Sequence, residues 1–252
     1  MTEAKTSCND RYAMPRLLAL GDAAITLQFG DRINPEINAQ VMAVRDVISS
    51  LRLEGVTDLV PTYRSLTVHF DPLRLNNDVL SQHLHDAART AQPGAQLRQR
   101  WQIPAVFGEE FGADLLDVVQ ATGRSAEEII DALCAVELRV FLIGFLPGFP
   151  YLGQLPQWLH LPRRASPRTA VPANSVAIAG AQAAVYPWQS PGGWHLLGRT
   201  PARLFDPSDS ARPALLEPGD TVRFRSINRD EYVRLSAAVA AGEIDLSKWR
   251  TP

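Results

Sequence analysis

Cysteine is scarce in this chain of 252 residues, which contains only Cys8 and Cys134. Two cysteines are too few for a disulfide framework or a thiolate metal site, so we expect no metal ligands of this kind. Long apolar runs are also missing, since no stretch approaches the roughly 18 residues that a membrane-spanning helix needs. The polar first residues lack the apolar core of a secretory signal. These absences predict a cytoplasmic protein with no membrane partner.

An excess of basic residues is missing as well. Lysine and arginine number 25 against 27 aspartates and glutamates, which gives a formal net charge of −2. A chain that grips nucleic acid over its whole surface needs a cationic excess, so we expect no nucleic-acid partner. Apolar residues make up 46% and charged residues 21% of the chain, as is typical of folded domains. The length allows two such domains.

The first 95 residues alternate between strand-like and helix-like patterns. Asn34 followed by Pro35 is typical of a helix start, and apolar residues at helical spacing follow it. The predicted order is strand, helix, strand, strand, helix, which favours a small α/β sandwich over residues 16–95. We predict a flexible N-terminus over residues 1–15.

Turn-forming residues dominate the second half. Residues 92–100 are polar and contain Pro93-Gly94, which predicts a domain boundary. Twelve of the 19 prolines and eight of the 16 glycines lie between residues 144 and 219. Short apolar runs between such residues predict a β-barrel over residues 99–227. A capping pair then predicts a terminal helix and tail over residues 228–252. The predicted fold class is α+β.

Acidic residues are absent from Leu138–Phe205, a stretch of 68 residues that carries no lysine but six arginines. These are Arg139, Arg163, Arg164, Arg168, Arg199 and Arg203. The planar guanidinium group binds carboxylate or phosphate through two hydrogen bonds, and acidic neighbours would compete for it. The pattern therefore favours a site for a small anionic substrate. The alternative is that these arginines lie singly on different faces, or pair with acids elsewhere in the chain.

Glycine turns and aromatic residues accompany the arginines. Turns at Gly148 and at Gly192-Gly193 leave backbone N–H groups that can face an anion, although small barrels also need glycines at their corners. The candidate anion-binding groups are therefore the six arginines together with Gly148, Gly192 and Gly193. Nearby aromatic residues can wall a pocket for a small ring, or can simply be core. The predicted pocket wall is Phe145, Phe149, Tyr151, Tyr186 and Trp194.

A complete catalytic device is missing from the same stretch. Its two histidines are His160 and His195, and His195 follows the glycine pair in a strand-like run. His195 is therefore the candidate catalytic residue, with a structural role as the alternative. Since no acidic residue is near enough in sequence to orient it, we expect another chain to supply part of the machinery.

Several sequence blocks carry a family resemblance, in the same order along the chain. They are FLIGFLPGFPYLG at residues 141–153, PRRASPRT at residues 162–169, SVAIAG at residues 175–180, SPGGW at residues 190–194 and LGRTP at residues 197–201. Through them the chain resembles the family of the B subunit of bacterial 5-oxoprolinase. The same family has been labelled allophanate hydrolase subunit 1, carboxyltransferase subdomain, and Kip-type inhibitor of a sporulation histidine kinase. The resemblance covers roughly residues 21–227.

This resemblance implies a small α/β domain followed by a cyclophilin-like barrel. It also implies two partners, the A and C subunits, with which the B subunit opens 5-oxo-L-proline to L-glutamate at the expense of ATP. ATP would be held by the complex, and not necessarily by this chain. The implied site lies near residues 145–151, 163–169 and 190–200. The resemblance thus narrows the predicted anion-binding residues to Arg163, Arg168, Arg199, Gly148, Gly192, Gly193 and Thr200. Two alternatives stay open: a non-catalytic inhibitor of a sensor histidine kinase, and half of a biotin-dependent carboxyltransferase or allophanate hydrolase.

Overall fold

The computed structural model describes residues 11–94 and 98–251. The chain divides into two compact units, residues 1–97 and 98–252. Along the two described ranges, no helix combines the length and the apolar character needed to cross a membrane.

The first unit is a four-stranded antiparallel sheet with two helices. Its strands follow the order β1–β2–β4–β3. The elements are β1 (Arg11–Ala19), β2 (Ala24–Gly30), α1 (Pro35–Leu51), β3 (Val56–Pro61), β4 (Ser65–Phe70) and α2 (Asn77–Thr90). Helix α1 begins as the sequence predicts, because the Asn34 side chain accepts the amide N–H groups of Glu36 and Ile37 at 2.7 and 3.3 Å. The buried face of the helix and the buried positions of β2 and β4 form one core cluster.

The prediction of a flexible N-terminus over residues 1–15 needs a correction. Residues 1–10 lie outside the described residues, but residues 11–15 belong to β1. Strand β1 is mostly exposed and therefore lacks the alternating apolar pattern that reveals a strand. Backbone pairing with β2, interrupted by an irregularity between Arg11 and Arg16, holds it in place.

The second unit contains a closed barrel. Within the described residues, seven strands close in the order β12–β9–β10–β7–β6–β13–β5, and β5 pairs back to β12. Strands β13 and β5 run parallel, and the other barrel pairs are antiparallel. Strand β14 extends the sheet beyond β5, while β8 and β11 form a separate two-stranded sheet. The predicted α+β class with a β-barrel is confirmed.

The elements of this unit follow in chain order. The strands are β5 (Arg100–Phe107), β6 (Leu138–Ile143), β7 (Pro150–Gly153), β8 (Arg168–Val171), β9 (Ser175–Ala179), β10 (Gln182–Val185), β11 (Ser190–Gly192), β12 (His195–Arg199), β13 (Thr221–Ser226) and β14 (Arg250–Thr251). The helices are α3 (Leu115–Thr122), α4 (Ala126–Ala135) and α5 (Arg229–Ala240). Short 3₁₀ turns occupy Glu109–Phe111, Gln157–Leu159 and Leu246–Trp249.

Candidate functional site

A cavity of about 360 Å³ opens in the second unit, and we call it the aromatic cavity. Its lining comes from β7 and the loop before it, the residue after β10, the segment that leads into β8, and β11 with the turn that follows it. Its lining residues are Phe145, Phe149, Tyr151, Arg163, Pro167, Tyr186, Pro191, Gly192, Gly193 and Trp194. The structure thus brings together all five predicted wall residues and three of the predicted anion-binding residues.

The Phe149 ring is the centre of the aromatic wall. Its centroid lies 5.3 Å from that of Phe145, 4.9 Å from Tyr151, 5.1 Å from Tyr186 and 6.1 Å from Trp194. All four pairs meet edge to face, an arrangement that the quadrupoles of aromatic rings favour. Phe149 and Tyr186 are each 1% exposed, whereas Phe145 is 61% exposed. The cavity therefore has a rigid aromatic base and an accessible aromatic rim.

The two tyrosines supply hydroxyl groups. Burial raises the pKa of Tyr151 above its ordinary value, and the nearby Arg163 charge offsets part of that rise. Burial likewise raises the pKa of Tyr186, against a backbone hydrogen bond with Trp194 and the charges of Arg163 and Arg168. Both phenols are therefore protonated and uncharged at neutral pH.

The loop that carries Phe145 has an unusual backbone. Phe145 has a φ of 70°, a left-handed conformation that bulky residues rarely adopt. Amide hydrogen bonds from Gly144 to Phe149 and from Phe149 to Leu146, at 3.1 and 3.0 Å, close the loop. Gly148 has a φ of 77° and a Cβ there would lie 2.7 Å from Phe205. Gly148 shapes this turn and lies outside the cavity lining.

Arg163 is the cationic residue of the lining. Its guanidinium lies 5.9 Å from the centroid of the Trp194 ring. None of the carboxylates in the described ranges forms an ion pair with it. The guanidinium is therefore available to an anionic ligand in the cavity.

Arg164 and Arg168, in contrast, form ion pairs with aspartates that lie outside residues 138–205. Arg168 donates two hydrogen bonds to the Asp114 carboxylate, at 2.8 and 2.7 Å. Arg164 donates to the same carboxylate and also to Asp117, the latter at 3.2 Å. These two side chains therefore follow the alternative prediction, in which the arginines pair with acidic residues elsewhere in the chain. Arg168 does not line the aromatic cavity.

The Asp114 side chain is 1% exposed, and its charged carboxylate is surrounded by hydrogen-bond donors. Burial by itself raises its pKa, but the hydrogen bonds from Arg168 and the Leu196 amide, with the charges of both arginines, outweigh burial. The net effect is a pKa below the ordinary value. A buried carboxylate with this many hydrogen-bond donors is a structural anchor for the segments that carry those donors.

The remaining predicted site residues lie outside the lining. Arg199 donates to the Ala173 carbonyl oxygen at 3.3 and 3.0 Å, through Nε and Nη2. Thr200 is fully buried and its hydroxyl accepts the Ala202 amide at 3.0 Å. His195 Nε2 lies 2.9 Å from the Pro162 carbonyl oxygen. None of these three residues lines the aromatic cavity, and of the three predicted anion-binding arginines only Arg163 does.

Sequence reasoning missed Asp114 as part of this region. An aspartate directly before a helix is usually interpreted as a cap, but the Asp114 side chain makes no cap hydrogen bond to α3. It also missed Pro167 and Pro191, which line the cavity. Within residues 11–94 and 98–251, no group of three or more His, Cys, Asp or Glu side chains is placed to hold a metal ion.

Comparisons with known proteins agree with one another. Residues 15–216 match the sequence model of a family described as carboxyltransferase domain, subdomain C and D. The chain is 37% identical over 224 residues to the B subunit of 5-oxoprolinase from Bacillus subtilis (strain 168), a match that covers 84% of this chain and 93% of that protein.

Solved structures extend the likeness to three dimensions. The TTHA0988 structure is similar with a TM-score of 0.73 and 36% identity, over 81% of this chain. This chain spans only 40% of the length of that one. The urea amidolyase of K. lactis also gives a TM-score of 0.73, over 92% of this chain and 16% of that one. Since the identity there is 17%, this last likeness concerns the fold alone.

Proposed function

Because the chain belongs to the carboxyltransferase subdomain C and D family, and is similar over most of its length to a 5-oxoprolinase B subunit, we propose that it is the B subunit of a 5-oxoprolinase. In this proposal, the chain works with A and C subunits to open 5-oxo-L-proline to L-glutamate at the expense of ATP. The observation that carries the proposal is the aromatic cavity with Arg163 at its wall, a guanidinium that forms no ion pair within the described residues.

The chemistry of the substrate suits this cavity. 5-Oxoproline is a small five-membered lactam that bears one carboxylate. Its ring can lie against the aromatic wall, and its carboxylate can pair with the Arg163 guanidinium. Tyr151 and Tyr186 stay neutral at pH 7, so they add no negative charge that would repel the lactam carboxylate. A volume of about 360 Å³ lies near the lower end of the range for small-molecule pockets.

ATP fits the aromatic cavity poorly. A triphosphate needs several cationic and N–H donors, and the lining offers a single guanidinium. The sequence also lacks the phosphate-loop motif with its lysine. We therefore assign ATP to the assembled complex and not to this cavity.

Ring opening breaks the bond between the lactam carbonyl carbon and the ring nitrogen, and adds the elements of water across it. Such a step needs a group that moves protons. None of the residues that line the aromatic cavity is a carboxylate or a histidine. In this proposal the chain binds and orients the lactam, and the partner subunits supply the proton transfer.

Reconstitution tests the proposal. The chain is co-expressed with candidate A and C subunits, and 5-oxoproline-dependent ATP hydrolysis is measured together with glutamate formation. We expect both activities to require all three chains. Equal activity from the A and C subunits without this chain would refute the proposal.

The description of the matching family favours a second candidate, half of a biotin-dependent carboxyltransferase. This candidate predicts carboxyl transfer from a carboxylated biotin carrier, and no lactam-dependent ATP hydrolysis. The same preparations distinguish the two candidates when they are assayed with a biotin carrier and its carboxylase.

A further inference from the structure

The Asp114 carboxylate holds several segments of the second unit at one point. It accepts the Leu196 amide of β12 at 2.7 Å and the two guanidinium hydrogen bonds of Arg168 from β8. It also accepts Arg164 from the segment before β8. Since Asp114 itself lies directly before α3, one buried side chain ties α3, β12 and β8 together.

The two bound arginines lie next to two residues of the aromatic cavity. Arg164 directly follows Arg163, and Arg168 directly follows Pro167. We call residues 162–168 the arginine loop. Fixing both guanidinium groups at Asp114 therefore fixes the two loop residues that line the cavity.

A second part of the cavity lining, the glycine turn at Gly192-Gly193, is attached to the same loop. The Arg164 amide donates to the Gly193 carbonyl oxygen at 2.7 Å, and Arg168 pairs with Gly192 across the small sheet of β8 and β11. The arginine loop and the glycine turn thus move as one unit, and Asp114 is the charged group that anchors it.

Charge gives Asp114 a second effect. Its carboxylate and that of Asp117 neutralise Arg164 and Arg168, whereas Arg163 pairs with no carboxylate of residues 11–94 or 98–251. Without Asp114, two further cations would be free to compete for an anionic ligand in alternative positions.

We propose that Asp114 is a positioning residue that fixes the arginine loop and so places Arg163 and Pro167 at the wall of the aromatic cavity. The identity of the ligand rests on the proposed function, but the positioning does not. Asp114 acts through the arginines and does not itself line the cavity.

The first test uses the whole chain alone, labelled with 5-fluorotryptophan. Fluorine NMR reports the surroundings of Trp194, whose resonance is assigned with Trp194→Phe. We expect Asp114→Asn to shift and broaden this resonance, because the Arg163 guanidinium leaves the ring face. The matched control Asp117→Asn removes an exposed partner of Arg164 and should leave the resonance in place. An unchanged Trp194 resonance in folded Asp114→Asn would overturn the proposal.

A second variant covers the case in which Asp114→Asn does not fold. Arg168→Lys keeps the charge but loses the two-point hydrogen bond to Asp114. We expect a smaller shift of the Trp194 resonance in the same direction. No shift in this variant would also contradict the proposal.

The reconstituted complex then separates the two claims. We expect Asp114→Asn to raise KM for 5-oxoproline at least tenfold with a smaller change in kcat, and Asp114→Glu to restore part of the loss. If the Trp194 resonance shifts in Asp114→Asn but the wild-type complex shows no lactam-dependent activity, the positioning role is supported and the proposed substrate is refuted. An unshifted resonance with wild-type KM would refute positioning and leave the substrate intact.

Discussion

Phe145 joins two properties that proteins rarely combine in one residue. Its backbone is left-handed at a φ of 70°, and its large apolar side chain is 61% exposed. Strain of this kind costs on the order of 1–3 kcal/mol and tends to cluster at ligand sites. An exposed ring also gains little from burial, so folding alone does not account for it. At the scale of the residue, Phe145 is best explained by the ligand that its ring would cover.

Replacing this residue should separate stability from binding. Phe145→Asn places a residue that tolerates the left-handed region there, so the free energy of unfolding should stay the same or rise by up to about 1 kcal/mol. Affinity for 5-oxoproline, measured by calorimetry, should fall about three- to tenfold with the loss of one aromatic contact.

The control is Phe149→Ala, which removes a buried ring and should lower the free energy of unfolding by about 3–5 kcal/mol. If Phe145→Asn destabilises the protein as much as Phe149→Ala does, the Phe145 ring is core and not rim.

The glycine pair offers a second contrast between neighbours. A Cβ at Gly192 would lie 2.3 Å from the Tyr186 hydroxyl oxygen, whereas the nearest atom to a Cβ at Gly193 is Pro167 Cγ at 3.5 Å. Gly192→Ala must displace a buried phenol and should lower the free energy of unfolding by about 1–3 kcal/mol. Gly193→Ala should change it by less than about 0.5 kcal/mol. Denaturant unfolding measures both, and equal losses would contradict the described turn.

At the scale of the element, local signals in the sequence predict helix starts well. The capping box of Ser125 and Glu128 is visible in the sequence, and both of its hydrogen bonds are present at the start of α4. Strand β1 and Asp114 have no such signal. The first is held by backbone pairing, and the second by partners up to 82 residues away in sequence. Neither kind of interaction leaves a periodic pattern along the chain.

The Asp114 anchor predicts a dependence of stability on pH. Its pKa is lowered in the folded protein from a value near 3.8, so its contribution is complete above that value and is lost as pH falls through the folded pKa. At pH 7, Asp114→Asn should lower the free energy of unfolding by about 3–5 kcal/mol. The difference between the two proteins should shrink below about pH 4. Urea unfolding across pH measures this difference, and a constant value would contradict the role of the carboxylate charge.

At the scale of the whole molecule, composition and turn residues are sufficient to predict a sandwich followed by a barrel. The cavity wall is also predictable, since Phe145, Phe149 and Tyr151 lie in one short run of sequence. The absence of acidic residues from residues 138–205 gives a more limited prediction. It locates the cationic region, but it cannot distinguish Arg163, which faces the cavity, from Arg168 and Arg199, whose partners come from other loops.

Recognition of the lactam carboxylate depends on Arg163, and the KM of Arg163→Gln is the sharpest test of this assignment. In the reconstituted complex, this variant should raise KM for 5-oxoproline about 10- to 100-fold, because a charge-assisted hydrogen bond is lost. The matched control Arg203→Gln removes an arginine that pairs with the half-buried Asp206 and does not line the aromatic cavity, and should leave KM unchanged. A wild-type KM in folded Arg163→Gln would contradict the assignment.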